Sequence, residues 1–261
     1  MPQFDFGSFP MDSSLINVET KWWKTDLVRS IFLPFEAESI LKIPISYSLP
    51  KDQLIWMGNN RAIHNDSAIP PAKVWDTANR AFLDFNVARL TSPTSLPPSC
   101  DHWTTPPSGF FKVNVNGATE NGGGNSCIEV VIKDSSGFPI SALSSVLPSC
   151  FSAEITEAYA LLHGVLFALE LQIDQVIFES DALSIILSIS SEFAGSDFSH
   201  ILEDIKAASS TFSHCSFHHL KRDGNRAAHT LAKEAKSSCQ SKIWKGFSPP
   251  CILNILREDL M

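Results

Sequence analysis

The sequence predicts an α/β fold: a mixed five-stranded sheet with helices on its faces, in the order βββαβααβα. Three observations predict it. Between residues 110 and 146, three runs of strand character are separated by short Gly-bearing turns, the pattern of an antiparallel meander. Residues 152–171 then place Leu161, Leu162, Val165, Leu166, Ala168 and Leu169 in one wide apolar stripe, which is a helix with a face to bury. Beyond it, strand-like and helical runs alternate as far as residue 238.

Taken in order, the first strand is expected at 110–116, where Phe111, Val113 and Val115 alternate with polar residues at a period of two. Gly122-Gly123-Gly124 turns the chain into a second strand at 126–133, and Ser135-Ser136-Gly137 turns it into a third at 139–146. Pro148 and Ser149 break the chain before the long helix, which Ser152 can cap while Glu154 suits the positive helix end. A fourth strand at 175–179, helices at 181–190 and 198–209, a fifth strand at 213–220 and a last helix at 225–238 complete the order.

Upstream, residues 1–90 read as a separate connector, partly helical or disordered, with Pro34 breaking two short helical runs at 24–32 and 35–41 and a further helix near 73–90. Residues 91–108 hold Pro93, Pro97, Pro98, Pro106 and Pro107 among Ser and Thr, a linker that marks the boundary of a domain at 109–238. Residues 239–261 read as a C-terminal tail with a short helix at its end.

Composition narrows the function. A hydrophobic fraction of 44% suits a globular core, and the net charge of −8 argues against strong non-specific attraction to nucleic acid or an anionic membrane. The domain is itself acidic, with 8 basic and 15 acidic residues between 108 and 238, so a nucleic-acid partner needs a local basic patch. That patch is Lys221-Arg222-Asp223-Gly224-Asn225-Arg226, where Lys221, Arg222 and Arg226 could meet phosphates and Asn225 could cap the last helix. No stretch approaches the roughly 20 apolar residues of a membrane span, and the first residues do not form a secretory signal. Six cysteines without a C-x-x-C pair read as reduced thiols of an intracellular protein, in the nucleus or cytoplasm. His214, Cys215, His218 and His219 do not make a zinc site, because on a strand they point to opposite faces. Tyr159 and Phe167 read as packing residues.

Four stretches carry a more specific signal: Val115-Asn116-Gly117-Ala118, Glu157-x-x-Ala160-x-x-x-Gly164, Phe178-Glu179-Ser180-Asp181 and Asn225-Arg226-Ala227-Ala228-His229. Their order resembles the ribonuclease H fold, in the type 1 form carried by plant non-LTR retroelements and the host genes derived from them. The short runs Ile31-Phe32-Leu33-Pro34, Ile43-Pro44-Ile45 and Leu54-Ile55-Trp56 resemble the connector upstream of that region in retroelement polyproteins. The resemblance implies hydrolysis of the RNA strand of an RNA–DNA hybrid by a monomer, with two Mg²⁺ ions (or Mn²⁺) held by clustered carboxylates. Carried over position by position, the catalytic set is Asn116, Glu157, Asp181 and His229, with Glu157, Asp181 and Asn116 as metal ligands. Asn116 stands where the family motif reads Val-Asp-Gly-Ala, and an amide oxygen brings no negative charge. His229 replaces a further acid; it can orient water but is no carboxylate. Formal ligand charge drops from about −4 to about −2, which predicts weakened or lost catalysis. The alternatives are a non-catalytic module for hybrid or duplex nucleic acid and a protein-interaction relic. Glu120, Asp134 and Asp223 are the loop acids that could compensate.

Overall fold

The computed structural model describes residues 12–48, 99–100, 102–119, 124–190, 198–238 and 240–259. The chain divides into a unit of residues 1–49 and 97–261 and a second unit of residues 50–96. The second unit, with the helix expected near 73–90, lies outside the described residues.

Nine strands and seven α-helices are present among the described residues. They run β1 (Ile16–Asn17), β2 (Trp22–Trp23), α1 (Thr25–Ile31), α2 (Pro34–Ile40), β3 (Ser99–Cys100), β4 (Phe111–Ala118), β5 (Cys127–Lys133), β6 (Pro139–Val146) and α3 (Ala153–Glu170). Then follow β7 (Gln175–Ser180), α4 (Leu183–Ser190), α5 (Ser199–Ser209), β8 (His214–Leu220), α6 (Arg226–Ser238), β9 (Lys242–Lys245) and α7 (Leu253–Glu258). The predicted βββαβααβα order is present from β4 to α6. Ser152 caps α3 by accepting the Ile155 N–H at 3.3 Å.

The main sheet has seven strands in the order β3-β8-β7-β4-β5-β6-β9. Its middle five are the predicted ones: β4, β5 and β6 form the antiparallel meander, and β7 and β8 add in parallel on the other side of β4. The two outer strands were not foreseen. β3 lies within the stretch expected as linker and pairs in parallel with β8. β9 lies within the stretch expected as tail and pairs antiparallel with β6. Both are short and cover open sheet edges, an advantage that only the folded sheet reveals.

One face of the sheet is covered by α3, α4 and α5, which bury Val113, Val115, Ile128, Val130, Val176 and Phe178 against Leu161, Val165, Ile185 and Ile201. A Cβ at Gly164 would lie 2.6 Å from Val115 Cγ1, so α3 approaches β4 more closely than a larger residue allows. The other face packs on α6 and the C-terminal residues through Val131, Ala142, Ala227, Leu231, Ile252 and Leu256. With both faces covered, the polar residues of β4 are buried along with the apolar ones: Lys112, Asn114 and Asn116 lie inside. Each finds a partner. Lys112 pairs with Glu179 at 2.6 Å, Asn114 donates to Glu179 at 2.9 Å, and Asn116 donates to Glu129 at 2.8 Å. On β5, Lys133 pairs with Asp259 at 2.6 Å while lying 3.9 Å over the Trp103 ring.

Residues 14–48 fall within the stretch expected as a connector and carry their own packed side chains. They form a small cluster around Leu15, Val28, Ala37 and Leu41 and dock on the α3–α5 side of the domain. Trp22 packs on Phe151 and Tyr159, and the Tyr159 hydroxyl accepts from Ile45 N at 3.0 Å and donates to Ile45 O at 3.2 Å. Asp204 accepts from Tyr47 N, Ser48 N and Ser46 Oγ.

Candidate functional site

At the end of β4 the chain must turn beneath the start of α3, and Gly117 makes that possible. A Cβ there would lie 2.7 Å from Glu157 N and 2.8 Å from Thr156 C, both backbone atoms. The close approach brings Glu157, one turn into α3, to the tip of the central strand. β7 runs parallel to β4 and delivers Asp181 just past its last residue. α6 lies on the opposite face of the sheet and presents His229 from its first turn.

These placements converge. Asn116, Glu157, Asp181 and His229 line one cavity of about 320 Å³, with Gly117, Arg222, Lys233 and Lys236 among its other walls. His229 Nε2 lies 3.0 Å from Asp181 Oδ2, and Asn225 Nδ2 donates to Asp181 Oδ1 at 3.1 Å and to Val115 O at 2.8 Å. Burial raises the Asp181 carboxyl, but the hydrogen bonds and charge of His229, with the Asn225 amide, outweigh it and hold the group below its ordinary value. Glu157 is pushed up to about 8, first by burial and then by the neighbouring charge of Asp181, against the Gly117 N–H that it accepts. Its Oε2 is buried without a partner among the described residues. Asn116 Nδ2 donates to Glu129 Oε2 at 2.8 Å.

Chemically this is a cluster of oxygen donors rimmed by cations. The unpartnered Glu157 oxygen, next to Asp181 and the Asn116 amide, fits a hard divalent cation better than a soft one. The charge is sparse for such an ion. Among the described residues no group of three or more His, Cys, Asp or Glu is placed to hold a metal, and both Asp181 oxygens already serve His229 and Asn225.

The residues expected to contact nucleic acid separate. Arg222 reaches the cavity wall. Asn225 is buried as a brace between β4 and Asp181. Arg226 turns to the far side, where it pairs with Glu258 at 2.8 Å and Asp259 at 3.7 Å beside a second cavity of about 540 Å³. Lys221 is exposed beside them. Of the loop acids, Asp223 lines that second cavity, Asp134 accepts two backbone N–H groups in the β5–β6 turn, and Glu120 lies outside the described residues.

Three residues escaped the sequence reading. Lys233 and Lys236 line the cavity because they fall one and two turns after His229 on the same helix face, a phase visible once α6 is placed. Glu129 is the third. A lone acid inside the apolar strand Cys127–Lys133 was its signal, but its role depends on a strand register that residue pattern alone does not supply.

The family described as reverse transcriptase-like matches residues 114–235. No protein of curated function matches the sequence. Among solved structures, ribonuclease H1 from the halophilic archaeon Halobacterium salinarum is 17% identical, over 49% of this chain and 98% of its own, with a TM-score of 0.46. A ribonuclease H1 isolated from compost, solved with an RNA/DNA hybrid, is 18% identical over 49% of this chain and 98% of its own, at 0.45. The protease–reverse transcriptase of prototype foamy virus is 15% identical over 68% of this chain and 29% of its own, at 0.39.

Proposed function

We propose that the ribonuclease H-like domain of this chain binds RNA–DNA hybrid or duplex nucleic acid at the β4–β7 end of its sheet, with hydrolysis weakened or lost. The observation that carries this reading is the 320 Å³ cavity, where four positions matching the family's catalytic set meet beneath Arg222, Lys233 and Lys236. The cations suit phosphate oxygens, and their position beside the carboxylates is where a scissile strand would be held. Glu157, Asp181 and Asn116 would hold Mg²⁺ or Mn²⁺, whose chemistry when bound is Lewis-acid stabilisation of charge on phosphate oxygens. Asn116 offers a neutral oxygen there, Glu157 an unpartnered one, and Asp181 a carboxylate already bonded by His229 and Asn225. A loss of about 4 kcal/mol of transition-state stabilisation corresponds to roughly a thousandfold in rate.

The same reading takes the domain as derived from a retroelement polyprotein, supported by the match to the reverse transcriptase-like family, and as acting in the nucleus or cytoplasm. Among the described residues no helix is long and apolar enough to cross a membrane.

The test is a labelled RNA–DNA hybrid offered to the full chain with Mg²⁺ or Mn²⁺, scoring binding and cleavage together. Expected is binding that weakens steeply with salt and cleavage at least about a thousandfold below an intact four-carboxylate enzyme. Efficient metal-dependent cleavage abolished by Asp181→Asn would overturn the impairment. Absence of binding at low salt would overturn the nucleic-acid reading and leave a protein-interaction role.

A further inference from the structure

The register of β4 and β5 sets Asn116 directly opposite Glu129, with both side chains on the α6 face of the sheet. Both are buried, Asn116 at 2% exposure and Glu129 at 0%. Their bond has one direction. Asn116 Nδ2 donates to Glu129 Oε2 at 2.8 Å. That fixes which way round the amide sits and leaves Oδ1 as the half available to the cavity that Asn116 lines.

Glu129 is a costly residue to keep in this place. Its Oε1 has no partner among the described residues, and a buried carboxyl oxygen without a partner costs free energy even when the acid is neutral. Packing alone would be served by an apolar side chain, as it is by Val131 two residues on along the same face. What Glu129 supplies that Val would not is a fixed acceptor behind Asn116.

We propose that Glu129 is a positioning residue of the cavity: it holds the Asn116 amide so that Oδ1 faces Glu157 and Asp181 as a neutral ligand for a hard divalent cation. This inference rests on the metal-binding reading of the cavity.

Two measurements on the full chain test it. The first needs no metal: hydrogen exchange of the Asn116 side-chain NH₂, followed by ¹H–¹⁵N spectroscopy. Exchange is slow in the wild type, remains slow in Glu129→Gln, whose amide oxygen still accepts, and becomes fast in Glu129→Leu. Equal exchange in wild type and Glu129→Leu would overturn the hold on Asn116. The second is Mn²⁺ titration followed by electron paramagnetic resonance. Glu129→Leu weakens Mn²⁺ binding by about tenfold or more, the range of indirect supports to metal ligands, whereas Glu129→Gln stays near wild type. Undiminished affinity in Glu129→Leu, with Asp181→Asn still weakened, overturns the positioning role and leaves the metal reading standing. No Mn²⁺ binding by the wild type overturns the metal reading and the ligand role of Oδ1 with it, while the exchange rates still decide whether Glu129 fixes Asn116.

Discussion

Glu129 and Glu157 lie within one site, and burial is the first cause that pushes each carboxyl up to about 8 from an ordinary 4.5. In metal-free protein the folded chain therefore keeps two protons that the unfolded chain releases above about pH 4.5. Stability from these groups is fully present below that pH and is lost as pH rises through about 8. The melting temperature should fall between pH 5 and pH 9, and Glu129→Gln should flatten that fall, by an amount on the order of a few kcal/mol at the alkaline end. A pH-independent melting curve in the wild type would show that both acids ionise freely. Asp181 runs the other way: held below its ordinary 3.8, it adds stability that is lost only in strong acid. At this scale the sequence was partly legible. Asn116, Glu157, Asp181 and His229 could be named because the stretches that carry them resemble the family's motifs in order, and the fold brings all four to one cavity. Glu129 could not, since its meaning lies in the residue across the strand. Arg226 was legible as a cation but not as one paired by Glu258, 32 positions along the chain.

At the scale of elements, β4 and α3 are fitted through two glycines. Gly117→Ala would drive a Cβ into the backbone of Thr156 and Glu157, which cannot rotate away. The expected outcome is a loss of about 1–3 kcal/mol in denaturant unfolding, with weaker metal binding as Glu157 is displaced. Gly164→Ala meets the side chain of Val115 instead, which can change rotamer, so its loss should be the smaller of the two. The meander and the capped helix were readable because each is written in local periodicity and turn chemistry. β3 and β9, with two and four residues, carry too little pattern to read and form because the sheet offers them an open edge. Alternation in β4 marks two kinds of face, and α6 with the C-terminal residues covers the polar one.

Across the whole molecule, the acidic balance and the few cavity cations together set the strength of any nucleic-acid contact. Lys233→Gln with Arg222→Gln should weaken hybrid binding and reduce its salt slope by about 2, one per lost phosphate contact. Docking of residues 14–48 is a second property at this scale. Tyr159→Phe removes a hydroxyl that bonds both backbone atoms of Ile45 and should cost about 1–2 kcal/mol by thermal unfolding. Asp204→Ala should cost more, because three donors from residues 46–48 lose their acceptor. The same docking bears on covalent continuity. Residues on either side of 50–96 belong to one packed body, so a single cut within that stretch should give two fragments that separate in denaturing gels yet elute as one particle from a sizing column. The two ends of the break would then be halves of a split protein, joined by Trp22, Tyr159 and Asp204 in place of a peptide bond.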